Sequence, residues 1–386
     1  MVSLQKTHHS LSLRTSCWLT TGVIRLALTA TLLPLYSYAN VDNKNWESRH
    51  ISAVQQYILP NYKVLLTNAS LTRANIHKAC TTKEQVISTI DQQVIQQNFL
   101  QLYVSWATVQ PIHFGPISYL KRQVRMQYWP DKHNVGSRQI KKLLSSSNDI
   151  SLEDLQKKSV AVQGLPALEK ILFSLTTITP KNCLIAYRIS ENIESIAKQN
   201  YAGWTEKPAM FMNDFLAINY AIGSYSSAEE ITAVMEKSIS HYLQFIEQVK
   251  LSAIPANINK RTKPRRLEAW RSRISTKLIH HNINSLHTLY NLVFAEIIRQ
   301  KNSTLGTKIE ARFSSLQHLT HQSSGHLIDE LIGNNKTSLY DKLNNTQDTR
   351  EFILWKAELR ELQRLIQRAF THELGLQSSF NSLDGD

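Results

Sequence analysis

The sequence predicts an all-α protein made of two helical bundles in tandem. Among 386 residues there are 11 Gly and 10 Pro, each about 3 % against the roughly 7 % and 5 % usual in globular chains. Apolar residues recur at spacings of three and four over long stretches, and no stretch alternates as a half-buried strand does. With 42 % hydrophobic residues, the chain can bury a core.

Taken in order, residues 44–80 read as helix interrupted at Pro60, because proline has no N–H to give the helix ladder. Residues 83–109 carry Val86, Ile90, Val94, Leu102 and Trp106 near helical period. Pro111 and Gly115-Pro116 break the pattern, 117–128 resumes it, and Trp129-Pro130-Asp131 stops it. Two short helices follow at 137–146 and 151–158. In Val162-Gln163-Gly164-Leu165-Pro166-Ala167-Leu168-Glu169, Pro166 suits the first position of a helix running toward Phe173. Glu169 then falls in its first turn, where a carboxylate complements the helix dipole. A long helix spans 182–204, with Ile185, Ile189, Ile193 and Ile196 on one face. Another covers 207–221, and 223–227 reads as a linker, so the expected units are a bundle at 40–222 and a second at 223–386. The second bundle comprises a helix at 228–251, a basic loop at 255–273, and helices at 275–300, 304–333 and 348–373.

The first 39 residues read as a signal peptide. Lys6, Arg14 and Arg25 precede or enter a short apolar run, Leu26 to Leu35, and Ser37-Tyr38-Ala39 supplies small residues for cleavage. That run is too short for a membrane span, and Cys17 lies before it in a poor lipid-attachment context. No later stretch reads as transmembrane. Removing the three cations takes the formal charge from +14 to +11. Such a balance suits an anionic partner, and export argues against nucleic acid. Two cysteines then remain, Cys80 and Cys183, which are expected to pair in an oxidising compartment.

Several segments together resemble the imelysin-like family. Gly164 to Glu169 occupies the frame of its Gly-x-His-x-x-Glu motif. Ser105-Trp106 with Val109-Gln110, Phe114-Gly115-Pro116, Tyr128-Trp129-Pro130-Asp131, Ala269-Trp270-Arg271-Ser272 and the tail Phe380 to Asp386 follow the same order. The resemblance covers nearly the whole chain after residue 40 and implies two helical domains with a site near their interface. The motif His is Pro166 here. Proline cannot ligate a metal, so any direct binding of iron or another divalent ion by this helix is expected to be weak.

The ligand-binding residues expected on this basis are Glu169, Arg125, Trp129, Asp131, Gln163, Gly164, Trp270, Arg271, Ser272 and Arg273. Arg125 or Arg271 is the natural partner for Glu169, since a guanidinium stays charged and can hold both carboxylate oxygens. Equally, Glu268 and Arg271 could form only a surface ion pair of little worth. The densest charge run, Lys260 to Arg266, reads as a solvated loop, and the tail Asn381 to Asp386 as an ordered cap or site lining. His372-Glu373 begins a zincin signature, but Leu376 stands where its second His should be. His318, His321, His326, Asp329 and Glu330 fall close together without the three or four converging ligands a metal needs.

The function implied is a non-catalytic protein of the periplasm or cell envelope, serving iron acquisition by binding iron, an iron chelate or another acidic ligand. Other envelope iron-uptake proteins are its expected partners. A helical scaffold and an imelysin-type peptidase are the alternatives; no complete protease motif and no catalytic residue is identified in the sequence. If the leader is read correctly, N-terminal sequencing of envelope material returns Asn40, and neither Met1 nor a lipid on Cys17.

Overall fold

Helices account for the expected elements with few shifts. The computed structural model describes residues 43–81, 86–146, 150–206, 211, 215, 225, 227–253, 263–332 and 346–376, and no strand occurs among them. The first helix, α1 (Asn43–Ala53), passes through a π turn at Val54–Ile58 into α2 (Leu59–Cys80). The interruption expected at Pro60 is this turn: proline has no N–H for the carbonyl four residues back, and the ladder widens before it.

Helix α3 (Thr89–Val109) starts where Ser88 Oγ accepts the Asp91 N–H at 3.1 Å. Its core face is Ile95, Phe99, Leu102, Tyr103 and Trp106, all buried. Ile90 and Val94 lie on the other side, at 74 % and 45 % exposure, and Val86, 43 % exposed, precedes the helix. Both stripes keep helical spacing, so periodicity alone did not choose between them.

Short helices α4 (Arg122–Met126), α5 (Val135–Ser145) and α6 (Leu152–Lys157) lead to α7 (Leu165–Ser174) and the long α8 (Pro180–Thr205). Helix α8 packs along α2, and α3 lies on the other side of α2. Cys80, at the end of α2, and Cys183, at the start of α8, are joined as a disulfide with Cα atoms 5.5 Å apart. Of the helix expected at 207–221, Phe211 and Phe215 are described; they stack on each other, Phe215 stacks on Phe114, and both meet Trp204 edge-on. The expected leader, the boundary at 222/223, Lys260 to Thr262 and the tail lie outside the described residues.

Helix α9 (Ala228–Phe245) ends in a π turn, Ile246–Lys250. The helix expected at 275–300 is two, α10 (Ser275–Val293) and α11 (Ala295–Lys301), broken at Phe294, whose ring packs against Trp46 and Phe370. Helices α12 (Ser303–Ile332) and α13 (Thr346–Arg368) complete the order. Helix α10 packs on α12 and, on its other side, on α3, while α1 reaches across to α9 and α10. The described residues belong to one compact unit. No helix among them is long and apolar enough to cross a membrane.

Two other expectations can be placed. His318 and His321 lie on α12, where no group of three or more His, Cys, Asp or Glu able to hold a metal occurs among the described residues. The His326, Asp329 and Glu330 side chains lie outside them. Glu373 closes the end of the fold, accepting hydrogen bonds from Asn302 Nδ2 on its side chain and from Lys301 Nζ on its carbonyl.

The disulfide links residues 103 apart in sequence, so it restricts the unfolded chain strongly. Cys183→Ser is expected to lower the unfolding free energy by about 2–4 kcal/mol in urea titrations under non-reducing conditions.

Candidate functional site

Glue between α7 and the 267–274 loop is supplied by one carboxylate. Helix α7 begins at Leu165, so Glu169 lies past the first turn and is not a dipole-complementing residue. Its side chain is buried. Glu169 Oε1 accepts the backbone N–H of Arg271 at 3.1 Å, that of Ser272 at 2.9 Å, and the Ser272 hydroxyl at 2.8 Å. Glu169 Oε2 lies 3.8 Å from the Arg271 guanidinium. Burial raises the Glu169 pKa above the usual carboxylate range, opposed by these donors and by Arg271.

The loop presenting those N–H groups is strained. Ala269 and Arg273 have φ of 50° and 59°, a left-handed conformation costing a non-glycine residue about 1–2 kcal/mol. Between them the chain turns tightly enough for two successive N–H groups to converge on one oxygen. The carboxylate offsets the strain by satisfying donors that would otherwise be buried without partners.

Arg125 does not reach Glu169. Its Nε donates to Gln163 Oε1 at 2.9 Å and its terminal nitrogen to Asn192 Oδ1 at 3.1 Å, while Asn192 Nδ2 donates to the Gln163 carbonyl. Arg125 and Gln163 thus tie α4, the approach to α7 and α8 together. Gly164 lets this crossing form: a Cβ there would collide with the carbonyls of Arg125 and Met126.

Asp131 is likewise occupied. Its Oδ1 accepts the Val135 N–H at 2.7 Å and its Oδ2 the Gly136 N–H at 2.9 Å, capping α5.

A pocket of about 530 Å³ opens over this arrangement. Five of the ten expected residues line it: Glu169, Trp129, Asp131, Trp270 and Arg271. Arg125, Gln163, Gly164 and Ser272 support it from behind, and Arg273 is exposed. Four further cations line it: Lys132 and Lys170, not singled out from sequence, and Arg265 and Arg266, from the Lys260 to Arg266 run expected to be a solvated loop. Arg271 stacks over Trp270 at 4.4 Å, with Arg265 at 5.9 Å from the same ring. Ser137 draws two cations together, its carbonyl accepting from Lys170 Nζ at 2.9 Å and its hydroxyl from Arg271 at 3.4 Å. Burial, and then the neighbouring Arg271 charge, lowers the Lys170 pKa.

Five cations therefore face two carboxylates already engaged by internal donors. The wall suits an anion. It does not suit a metal ion held directly by the protein: the residue at the motif His position is Pro166, and Glu169 Oε1 already accepts three hydrogen bonds.

Behind the pocket lies a buried polar cluster that sequence reasoning missed. Glu268 is 3 % exposed and paired with Lys250, 1 % exposed, at 2.5 Å. Lys250 Nζ also donates to Gln110 Oε1 at 2.9 Å and Asn282 Oδ1 at 2.7 Å. Gln110 accepts from the Tyr242 hydroxyl at 2.8 Å and donates to Glu268 at 3.1 Å, and Gln127 donates to Glu268 and accepts from Trp106. Asn282 donates to the Ala107 carbonyl, so the cluster joins α3, α9 and α10. Burial lowers the Lys250 pKa, opposed by Glu268. Glu268 thus makes no surface pair with Arg271. The available signal was Lys250 itself, a cation in register with Ile239, Leu243 and Ile246 on a core face.

The imelysin family model matches residues 58–350. No curated protein matches the chain by sequence. Two solved structures share the fold. An imelysin-like protein from Psychrobacter arcticum 273-4 has a TM-score of 0.71 at 16 % identity, covering 88 % of this chain and 98 % of its own. A protein from Parabacteroides distasonis ATCC 8503, assigned the name iron-regulated protein A precursor, has a TM-score of 0.65 at 15 % identity, covering 87 % and 97 %.

Lys250→Met leaves Glu268 charged and buried without its counter-ion. It is expected to destabilise the fold by about 3–5 kcal/mol in urea denaturation. Lys250→Met with Glu268→Gln is expected to recover part of that loss, because no uncompensated charge remains.

Proposed function

From a chain that belongs to the imelysin family, we propose an exported cell-envelope protein that binds an acidic ligand, foremost an anionic iron chelate, in iron acquisition. The ligand sits in the pocket over Glu169, between an N-terminal bundle (40–222) and a C-terminal bundle (223–386). The observation that carries this reading is the unbalanced charge of the wall. Lys132, Lys170, Arg265, Arg266 and Arg271 line it, while Glu169 and Asp131 are held by backbone N–H groups. Two aromatic walls, Trp129 and Trp270, add apolar surface that a bound molecule would cover. The iron part of the reading is supported by the name carried by the Parabacteroides distasonis protein.

In this reading Glu169 acts on the ligand indirectly. It holds the 269–273 loop in its strained conformation, and the loop aims Arg271 and Trp270 into the pocket. Binding is preferred over peptidase action because a proton-transferring carboxylate must exchange protons with substrate or water. Glu169 Oε1 is instead occupied by three donors.

Calorimetry of the mature protein with ferric chelates of different charge tests the proposal. Anionic chelates are expected to bind and a neutral trihydroxamate chelate not to, with affinity falling as salt is raised. Arg271→Gln and Lys170→Gln are each expected to weaken binding about tenfold or more, the usual cost of a hydrogen bond to a charged group. Glu169→Gln is expected to weaken it as well by loosening the loop. Pro166→His is expected to raise affinity for free metal ions, since it places an imidazole three residues before Glu169. Equal binding of neutral and anionic chelates, insensitive to these substitutions, would overturn the proposal.

A further inference from the structure

Charge and flat aromatic surface occupy the same place on the pocket wall. Arg271 lies 4.4 Å over the Trp270 ring, with one terminal nitrogen 3.8 Å from Glu169 and the other donating to Ser137. Lys170 reaches the same Ser137. Tyr128, Trp129 and Trp270 line the pocket half-buried, with faces or edges still open to solvent. Trp129 is steadied edge-on by Phe245 at 6.2 Å, so its ring is a fixed surface. Two cations converge beside three large aromatic side chains, inside a volume of about 530 Å³.

Each class of anion meets this wall differently. A compact aliphatic polycarboxylate would satisfy Arg271 and Lys170 but leave most of the aromatic surface wet. A phosphorylated ligand whose ring is separated from its charge by a sugar would not place both against Trp270 and Arg271 together. A ring with anionic oxygens directly attached would do so, with its plane against an indole and its oxygens toward the guanidinium and ammonium. We propose that the ligand recognised here is an aryl anion: a planar aromatic ring bearing adjacent carboxylate or phenolate oxygens, alone or as a metal chelate. The inference rests on the anion-binding reading above and specifies its chemical class.

Titrations with 2,3-dihydroxybenzoate, citrate and the ferric complex of each separate the two readings. Calorimetry gives Kd, and quenching of tryptophan fluorescence reports ring contact. The aromatic member of each pair is expected to bind at least about tenfold more tightly than its citrate counterpart. Trp129→Leu and Trp270→Leu are each expected to lower the ratio of aromatic to citrate affinity, with Trp270→Leu also weakening citrate because Arg271 leans on that ring. Circular dichroism melting checks that each variant is folded, and either variant suffices if the other does not fold. Citrate binding as tightly as the aromatic ligand would overturn this inference and leave the anion-binding reading standing. So would an aromatic preference that survives both substitutions. Binding of none of the four would overturn both.

Discussion

The carboxylate of Glu169, held by the backbone N–H groups of Arg271 and Ser272, is the contact on which the pocket depends. It joins a helix near the middle of the chain to a loop about a hundred residues later. Left-handed backbone at Ala269 and Arg273 is unfavourable for any residue with a Cβ, and persists because the turn it makes delivers two N–H donors to one buried anion. The buried charge and the strained loop each need the other. Arg271 then projects over Trp270 and toward Ser137, the position from which it meets the pocket.

A second buried charge holds the wall from behind. Lys250 and Glu268 are almost completely enclosed, and Gln110, Gln127 and Asn282 hydrogen-bond to the pair, with the Tyr242 hydroxyl donating to Gln110. An enclosed ion pair is a poor source of net stability, since desolvation cancels much of the attraction. Its value here is geometric. Glu268 begins the segment that carries Trp270 and Arg271, so anchoring it to α3, α9 and α10 fixes where the loop starts. Glu169 fixes where it turns.

These two anchors explain why the pocket is basic although acidic residues lie in it. Asp131 spends its charge on the start of α5, and Glu169 on the loop. Their two negative charges leave the five cations of the wall, Lys132, Lys170, Arg265, Arg266 and Arg271, in excess. Inside a concave wall, charges act over short distances in a lower dielectric than on an open surface.

The sequence by itself determined the helical class, because scarce Gly and Pro and apolar spacing are local properties that become informative when summed over long stretches. Paired Cys80 and Cys183 were also legible, as was Pro166 in the first turn of α7, and resemblance to other sequences singled out Glu169 and the Trp270 to Ser272 segment, which the fold brings into contact. Which stripe of α3 faces inward was not legible, since Ile90 and Val94 keep the same helical period as the buried set. Nor was the partner of each charge. Arg125 and Arg271 were equivalent candidates for Glu169, and only the crossing of α4 over Gly164 sent Arg125 to Gln163 and Asn192. Lys250 meets Glu268 across 18 residues and Gln110 across 140. Such pairings follow from where distant segments pack, a property of the folded chain that no local pattern of residues contains.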